Sequence, residues 1–210
     1  SAPVPTTSRR QCQGIGSSPG ALVYGELEFG RQGPRVGRRS HGSKLVVSGM
    51  TRIISIAPLL NHNLVGVSGH LVGLALGSVD NTHRFETSPG ELPLVVGDII
   101  EAVGITDRLA LGITDALLAQ YQGDKRPLLH YSAVVNEVWF SKDVVALDVL
   151  ALQELENQRQ AAGIAQTRVD SSLYENATVM DLGVSDRRLM DVERLGATPP
   201  SSGAPVTSPA

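Results

Sequence analysis

The sequence lacks several features that would indicate a specific chemistry. Cys12 is the only cysteine among 210 residues, so this chain cannot form an internal disulfide, a four-cysteine zinc site or a cysteine-ligated iron–sulfur cluster. We therefore expect no iron–sulfur cluster within the chain, and the identity of any other cofactor stays unknown. The sequence also lacks a Gly-x-Ser-x-Gly elbow, a phosphate loop and a strand-linked Gly-x-Gly-x-x-Gly pattern, which are the usual marks of acyl transfer, nucleotide hydrolysis and dinucleotide redox chemistry.

Excess positive charge and a long apolar run are absent too. The formal net charge of −3 provides no basic field that would attract nucleic acid, so no nucleic-acid partner is expected. The most apolar segment, residues 64–79, is interrupted by His70 and is shorter than the roughly 20 residues of a membrane-spanning helix. We expect a soluble protein without a membrane span, for which cytoplasmic and exported locations both stay open.

The sequence does contain enough apolar residues for one core. Its hydrophobic content is 41%, and Pro, Ser, Thr and Gly dominate both ends. Such ends bury too little apolar surface to fold. We therefore predict a disordered tail over residues 1–20, one α/β domain over 21–195 and a disordered tail over 196–210. The Arg-rich and Gly-rich segment 30–44 is interpreted as a solvated loop, with anion binding as the alternative.

Strand-like and helix-like segments alternate through the centre of the chain. Residues 51–58 are β-branched and typical of a strand, and residues 109–113 suit a buried strand. A helix then follows, capped by Thr114 or Asp115 and ended by Gly123. Residues 130–141 predict a further strand, and residues 143–163 predict a helix. This alternation favours an α/β fold in which helices flank a mainly parallel sheet in three layers.

Glycines recur at every fourth position in one apolar run, at Gly69, Gly73 and Gly77. This spacing favours a helix with a smooth face for close packing, with a buried strand and glycine-rich turns as the alternative. We interpret His70 in this run as a core histidine with satisfied hydrogen bonds. The polar residues that follow the run predict a turn, in which Arg84 is able to pair with Asp80.

Polar residues near the ends of the predicted strands form a candidate ligand-binding site. Ligands bind beyond the carboxyl ends of strands in open parallel sheets. An imidazole among carboxylates and amides is able to bind a divalent metal or to act as a general base. However, the spacing matches no metal motif, and the two later carboxylates are also explained as helix caps. The candidate residues are Asn61, His62, Asn63, Asp80, Asn81, Asp115 and Asp143.

Four blocks of sequence resemble successive blocks of the domain of unknown function family 362. They are "RIISIAPLLNHNLVGVSGHLVGLALGSVDNTHRFE", "LGITDALLAQYQGD", "FSKDVVALDVLALQELENQR" and "LGVSDRRLMDVERL". The resemblance spans about residues 45–195 and implies an uncharacterised α/β protein, in a family some of whose members carry a ferredoxin-like iron–sulfur module. Many members have a Lys-x-His pattern where this chain has Leu60, Asn61 and His62. The histidine matches and the lysine does not, so the chain looks like a partial or divergent member.

Two functions from different classes follow from these observations. The first is an enzyme-like domain that binds a small molecule or a metal at the candidate residues. The second is a non-catalytic binding or assembly module, in which the glycine face and the apolar strands pack against a protein partner or against a missing N-terminal half. A separation of more than about 10 Å between His62 and both Asp115 and Asp143 would leave the enzyme without its shared site.

Overall fold

The computed structural model describes residues 21–24, 40–86, 90–124, 126–165 and 169–196. The strands are β1 Ala21–Tyr24, β2 Ser40–Gly42, β3 Ile53–His62, β4 Gly66–Val67, β5 Leu109–Gln120 and β6 Ser132–Ser141. The α-helices are α1 His70–Leu76, α2 His83–Glu86, α3 Leu92–Ala102, α4 Val144–Ala161 and α5 Ser172–Val179. A π-helix spans Leu45–Gly49, and 3-10 helices span Leu129–Tyr131 and Arg187–Leu189. The predicted tails, apart from residue 196, and residues 30–39 of the Arg-rich segment lie outside the described residues.

The main sheet has four strands in the order β4-β3-β5-β6, and β1 pairs with β2 in a separate antiparallel sheet. In the main sheet only β3 and β5 run parallel, whereas β4 pairs antiparallel with β3 and β6 pairs antiparallel with β5. The α/β class is therefore confirmed. The prediction of a mainly parallel sheet is not confirmed. Strand β6 follows β5 directly through a short connection, and short connections join antiparallel strands.

Strand β5 corrects the prediction of a helix after residue 113. It continues as a strand through Gln120 and pairs with β3 on one side and β6 on the other. The segment contains good helix formers such as Ala116 and Leu118, and the cost of placing them in a strand is offset by pairing on both edges. Asp115 therefore lies within a strand and caps no helix, while Gly123, with φ of 114°, forms the turn after it.

Helix α4 confirms the predicted helix and its cap. Asp143 precedes the helix, and its side chain accepts a hydrogen bond from the Ala146 amide at 2.8 Å. The same carboxylate accepts a second bond from the Val184 amide at 2.8 Å. The helix packs along β3, β4, β5 and β6, so Asp143 has a structural role at one end of the sheet.

Helix α1 is helical as predicted, but its glycines do not form one packing face. A Cβ atom at Gly69 would lie 2.1 Å from Oδ1 of Asp148, whereas a Cβ atom at Gly73 would meet nothing within 4 Å. At Gly77 it would lie 2.6 Å from the carbonyl oxygen of Gly73. Only Gly69 is thus required by the approach of another element, and that contact is with one side chain.

The two faces of the main sheet differ in burial. On β3, Ser55, Ala57 and Leu59 are buried while the alternating positions between them are exposed. The buried face packs against α1 and α4, and α3 and α5 pack on these helices. Among the described residues no helix covers the opposite face of β3, β5 and β6, so the predicted three-layer arrangement is not confirmed. No helix in the described part of the chain is long and apolar enough to cross a membrane.

Candidate functional site

A cavity of about 80 Å³ lies where the parallel strands β3 and β5 end. Asn61, His62 and Asn63 line it from the end of β3, and Tyr121 and Gln122 line it from the end of β5. The remaining wall comes from Arg159 near the end of α4 and from Ile164 and Val169. The carboxyl-end rule therefore located the first three residues correctly. Whether they bind a ligand stays a prediction.

The asparagines on either side of His62 are held by the turn after β5. The Asn61 side-chain oxygen accepts a hydrogen bond from the Asp124 amide at 3.1 Å, and the Asn63 amide donates to Oδ1 of Asp124 at 3.0 Å. Nδ2 of Asn61 also donates to Oδ1 of Asn63 at 3.3 Å. The two bonds to Asp124 join the end of β3 to the turn after β5, and the third links the two asparagines at the cavity rim.

His62 is a buried residue at the end of β3. It is 4% exposed, and its Nδ1 accepts a hydrogen bond from the Leu64 amide at 3.2 Å. An accepting Nδ1 carries no proton, so the neutral ring has its proton on Nε2. The hydrogen bond from the Leu64 amide therefore favours this tautomer.

Arg159 was not singled out from the sequence, although it is the charged group of the cavity. It is 3% exposed, its Nε donates to the Tyr121 carbonyl at 2.8 Å, and its Nη1 bonds Oε2 of Glu156 at 3.3 Å. The sequence did contain a signal for it. Ala151, Leu155 and Arg159 follow at intervals of four on the buried side of α4, and an arginine in such an apolar stripe is expected to have a specific partner.

Asp143 and Asp115 do not share this cavity. Gly112 pairs with Ser141, and Gln120 pairs with Ser132, so Asp143 lies at the opposite end of the sheet, at least about 25 Å away at the rise of a strand. Pro58 pairs with Asp115, and His62 lies four residues further along β3, or about 13 Å. Both separations exceed 10 Å, so the predicted single crevice is not formed.

Asp80 and Asn81 also lie apart from the cavity. Oδ1 of Asp80 accepts a hydrogen bond from the His41 amide at 2.7 Å, and its Oδ2 lies 3.2 Å from Nδ1 of His41. Arg84, which the sequence suggested as a partner for Asp80, is buried, and its Nη1 donates to Oγ of Ser40 at 3.4 Å. Asn81 has φ of 51°, as expected of a turn asparagine.

A second cluster of polar groups lies in the core between the sheet and α1. Nδ1 of His70 lies 2.7 Å from Oγ of Ser55, and its Nε2 lies 3.0 Å from Oγ1 of Thr114. Burial lowers the pKa of His70 to about 4. In an open cleft a serine beside an imidazole would suit nucleophilic catalysis, but this imidazole is 1% exposed and is a weak base. The interpretation of His70 as a satisfied core histidine is confirmed.

Asp148 connects this cluster to α4. Its two carboxylate oxygens accept hydrogen bonds from the His70 and Leu71 amides, both at 2.8 Å, at the beginning of α1. Burial raises the pKa of Asp148 to about 7, although the two amide donors act in the opposite direction. Close by, the Tyr174 hydroxyl donates to the Val65 carbonyl at 2.6 Å. Burial is also the main cause that raises the pKa of Tyr174 above its usual value.

Another cavity, of about 190 Å³, opens where β5 begins and is lined mainly by leucine, isoleucine and valine side chains, with Lys142 as its charged residue. Among the described residues no group of three or more histidine, cysteine or acidic side chains is placed to hold a metal ion. Metal binding by the predicted residues therefore gains no geometric support.

Comparisons of the chain with protein-family models, with curated proteins and with solved structures found no match. The resemblance to the domain of unknown function family 362 therefore stays a prediction.

Proposed function

We propose that this protein is a non-catalytic assembly module that binds a second copy of itself through the uncovered face of its main sheet. The observation that supports this function best is the apolar character of that face. Its most exposed large side chains are Ile54, Ile56, Leu117, Leu118, Val134, Val138 and Phe140. The enzyme-like alternative is less favoured, because its candidate carboxylates lie at different ends and faces of the sheet.

The strand register makes these side chains neighbours. Ile56 pairs with Ile113, and Ile113 pairs with Phe140, so one apolar row crosses three strands. Leu118 pairs with Val134 further along the same sheet. Because paired residues in adjacent strands lie about 5 Å apart and point to the same side, these rows form one continuous surface.

The area of the surface suits a stable dimer. Its exposed side chains are between 45% and 77% accessible, which amounts to roughly 400 Å² of apolar surface if a fully exposed aliphatic side chain presents roughly 100 Å². A contiguous apolar patch of this size is often a functional contact surface. Together with the polar groups around it, such a patch is able to form the apolar centre of a standard interface, in which each partner contributes about 800 Å².

The composition of the rest of the chain favours a second copy of the protein as the partner that covers this sheet face. The segments outside the described residues are rich in Pro, Ser, Gly and Arg, and their large apolar side chains are few and scattered: Val4 and Ile15 in residues 1–20, Leu27, Phe29 and Val36 in residues 25–39, and Val206 in residues 197–210. They therefore supply little apolar surface to cover the sheet. Two identical sheets, each with one apolar face, are able to pack face to face at about 10 Å, and one self-complementary patch is sufficient for a twofold dimer.

Sedimentation velocity of the full chain at about 100 µM, a concentration at which a micromolar dimer is populated, tests the proposal. We expect twice the chain mass of 22.2 kDa. Phe140→Lys and Ile56→Lys each replace an exposed side chain, 63% and 71% accessible, so each should yield a folded monomer. Leu189→Lys is the matched control, because Leu189 is 74% exposed outside the sheet, and it should remain a dimer.

Asp115 provides a test in the opposite direction. It is an exposed carboxylate on β5, paired with Pro58 and Val138, so face-to-face packing brings one carboxylate from each copy onto the interface. Oδ1 of Asp115 accepts a hydrogen bond from the Leu117 amide at 3.1 Å, and an asparagine oxygen is able to accept the same bond. Asp115→Asn therefore removes the charge alone and should tighten the dimer, since burying a charge in an apolar interface is costly. A parent chain that sediments as a monomer, or equal dimer loss in Leu189→Lys, would refute self-association through this face.

A further inference from the structure

We infer that the cavity at the carboxyl ends of β3 and β5 is a binding site for a small carboxylate, with Arg159 as its cationic contact. This site is separate from the uncovered sheet face, because none of the residues that line the cavity belongs to the apolar rows of that face. The two proposals therefore stand or fall on different measurements.

Arg159 is the group that points to an anion. Its Nε and Nη1 have acceptors in Tyr121 and Glu156, but its Nη2 makes no hydrogen bond with any residue in the described part of the chain. Nη2 is not among the buried side-chain atoms without a partner in the described part of the chain, so it is open to the water of the cavity. Because the guanidinium is always charged and Arg159 lines the cavity, an oxygen of a bound anion is able to replace that water as the acceptor for Nη2.

Asn63 supplies a second donor at the rim. Its side-chain oxygen is occupied by Nδ2 of Asn61, and its backbone amide is occupied by Asp124. This arrangement orients the amide group so that its own Nδ2 remains a donor without an acceptor among the described residues. A carboxylate has two oxygens that accept hydrogen bonds. The cavity provides two donors for them, Nη2 of Arg159 and Nδ2 of Asn63.

The rest of the wall favours an acid with a short apolar tail. Tyr121, Ile164 and Val169 contribute apolar surface, which is able to contact methyl or methylene groups. A phosphate or sulfate carries oxygen on every side and would leave some of those oxygens against this wall without donors. A volume of about 80 Å³ has room for a few water-sized groups, so it suits a small acid such as acetate or propionate.

Titration of the ¹⁵N-labelled full chain with sodium acetate and sodium propionate tests this site by NMR. We expect saturable shifts of the Nε–H signal of Arg159 and of the side-chain amide of Asn63. Propionate should bind more tightly than acetate because its longer tail contacts the apolar wall. Propionamide, which has the same shape without the charge, and sodium chloride at the same ionic strength should produce neither saturable shift.

Asn63→Asp is the sharpest variant. It keeps an oxygen for Nδ2 of Asn61 and replaces the rim donor with a negative charge, and Asn63 is exposed, so the fold should be retained. We expect carboxylate affinity to fall at least about tenfold, the effect of losing a hydrogen bond to a charged group. Gln153→Glu, which adds the same charge at an exposed position of α4, should bind propionate as the parent does.

Several results would overturn the inference. One is the absence of a saturable shift with either acid up to about 100 mM, a concentration sufficient for even millimolar ligands. Equal shifts with chloride would indicate a general salt effect, and an unchanged affinity in Asn63→Asp would place the acid elsewhere. The parent titration is decisive by itself, so the test does not depend on the folding of any variant.

Discussion

The ionisation of Asp148 is predicted to make stability depend on pH, and Asp148→Asn isolates this effect. In the folded protein, burial raises the pKa of this carboxyl from 3.8 to about 7. The folded state therefore holds the proton more tightly than the unfolded state does. The resulting contribution to stability is fully present below about pH 4 and is lost as the pH rises to about 7.

The size of the effect follows from the pKa difference. One pKa unit corresponds to about 1.4 kcal/mol, so the shift from 3.8 to about 7 is equivalent to about 4 kcal/mol. The variant should be less stable than the parent at pH 4, because an amide group offers one acceptor oxygen to the two amide donors of α1. The difference in free energy of unfolding between the parent and the variant should decrease by up to about 4 kcal/mol between pH 4 and pH 8, because only the parent loses stability through this carboxyl.

Urea unfolding of both proteins across this pH range measures the difference. His70 has the opposite effect, since burial lowers its pKa from 6.5 to about 4 and its contribution is lost as the pH falls through that range. The variant retains His70, so its contribution cancels in the difference between the two curves. A constant difference from pH 4 to pH 8, or a carboxyl ¹³C titration of Asp148 with a midpoint below about 5, would refute the dominance of burial over the two amide bonds.

Two further predictions concern contacts in the core, one at the beginning of α1 and one between α5 and the residue before β4. Gly69→Ala should destabilise the protein by at least about 2 kcal/mol in urea unfolding, because its Cβ would lie 2.1 Å from Oδ1 of Asp148. Gly73→Ala, where a Cβ meets nothing within 4 Å, should be neutral or stabilise by about 0.5 to 1 kcal/mol; equal losses in both variants would contradict this account. Tyr174→Phe should cost about 1 to 2 kcal/mol in thermal unfolding, because it leaves the buried Val65 carbonyl without its hydroxyl donor. An unchanged melting temperature would show that the carbonyl finds another donor.

The candidate site was predictable only where local sequence places groups together. Asn61, His62 and Asn63 are consecutive, so they share one cavity once β3 ends there. Asp115 does not belong to this cavity, because β5 continues as a strand beyond it. Arg159 was missed because it lies far along the chain, and its partner is the Tyr121 carbonyl, a backbone group whose position no sequence pattern reveals.

The sequence by itself determined the α/β class, the helix that begins after Asp143 and the burial of His70. These features depend on a cap three residues before the amide that donates to it and on apolar runs that have to be buried in any fold. Only the tertiary structure decided the strand order, the length of β5 and the uncovered sheet face. These features depend on pairing between strands that are distant in the sequence. Ile113 of β5, for example, lies between Ile56 of β3 and Phe140 of β6. Side-chain contacts across the strands outweigh the local helix propensity of the residues that follow Ile113.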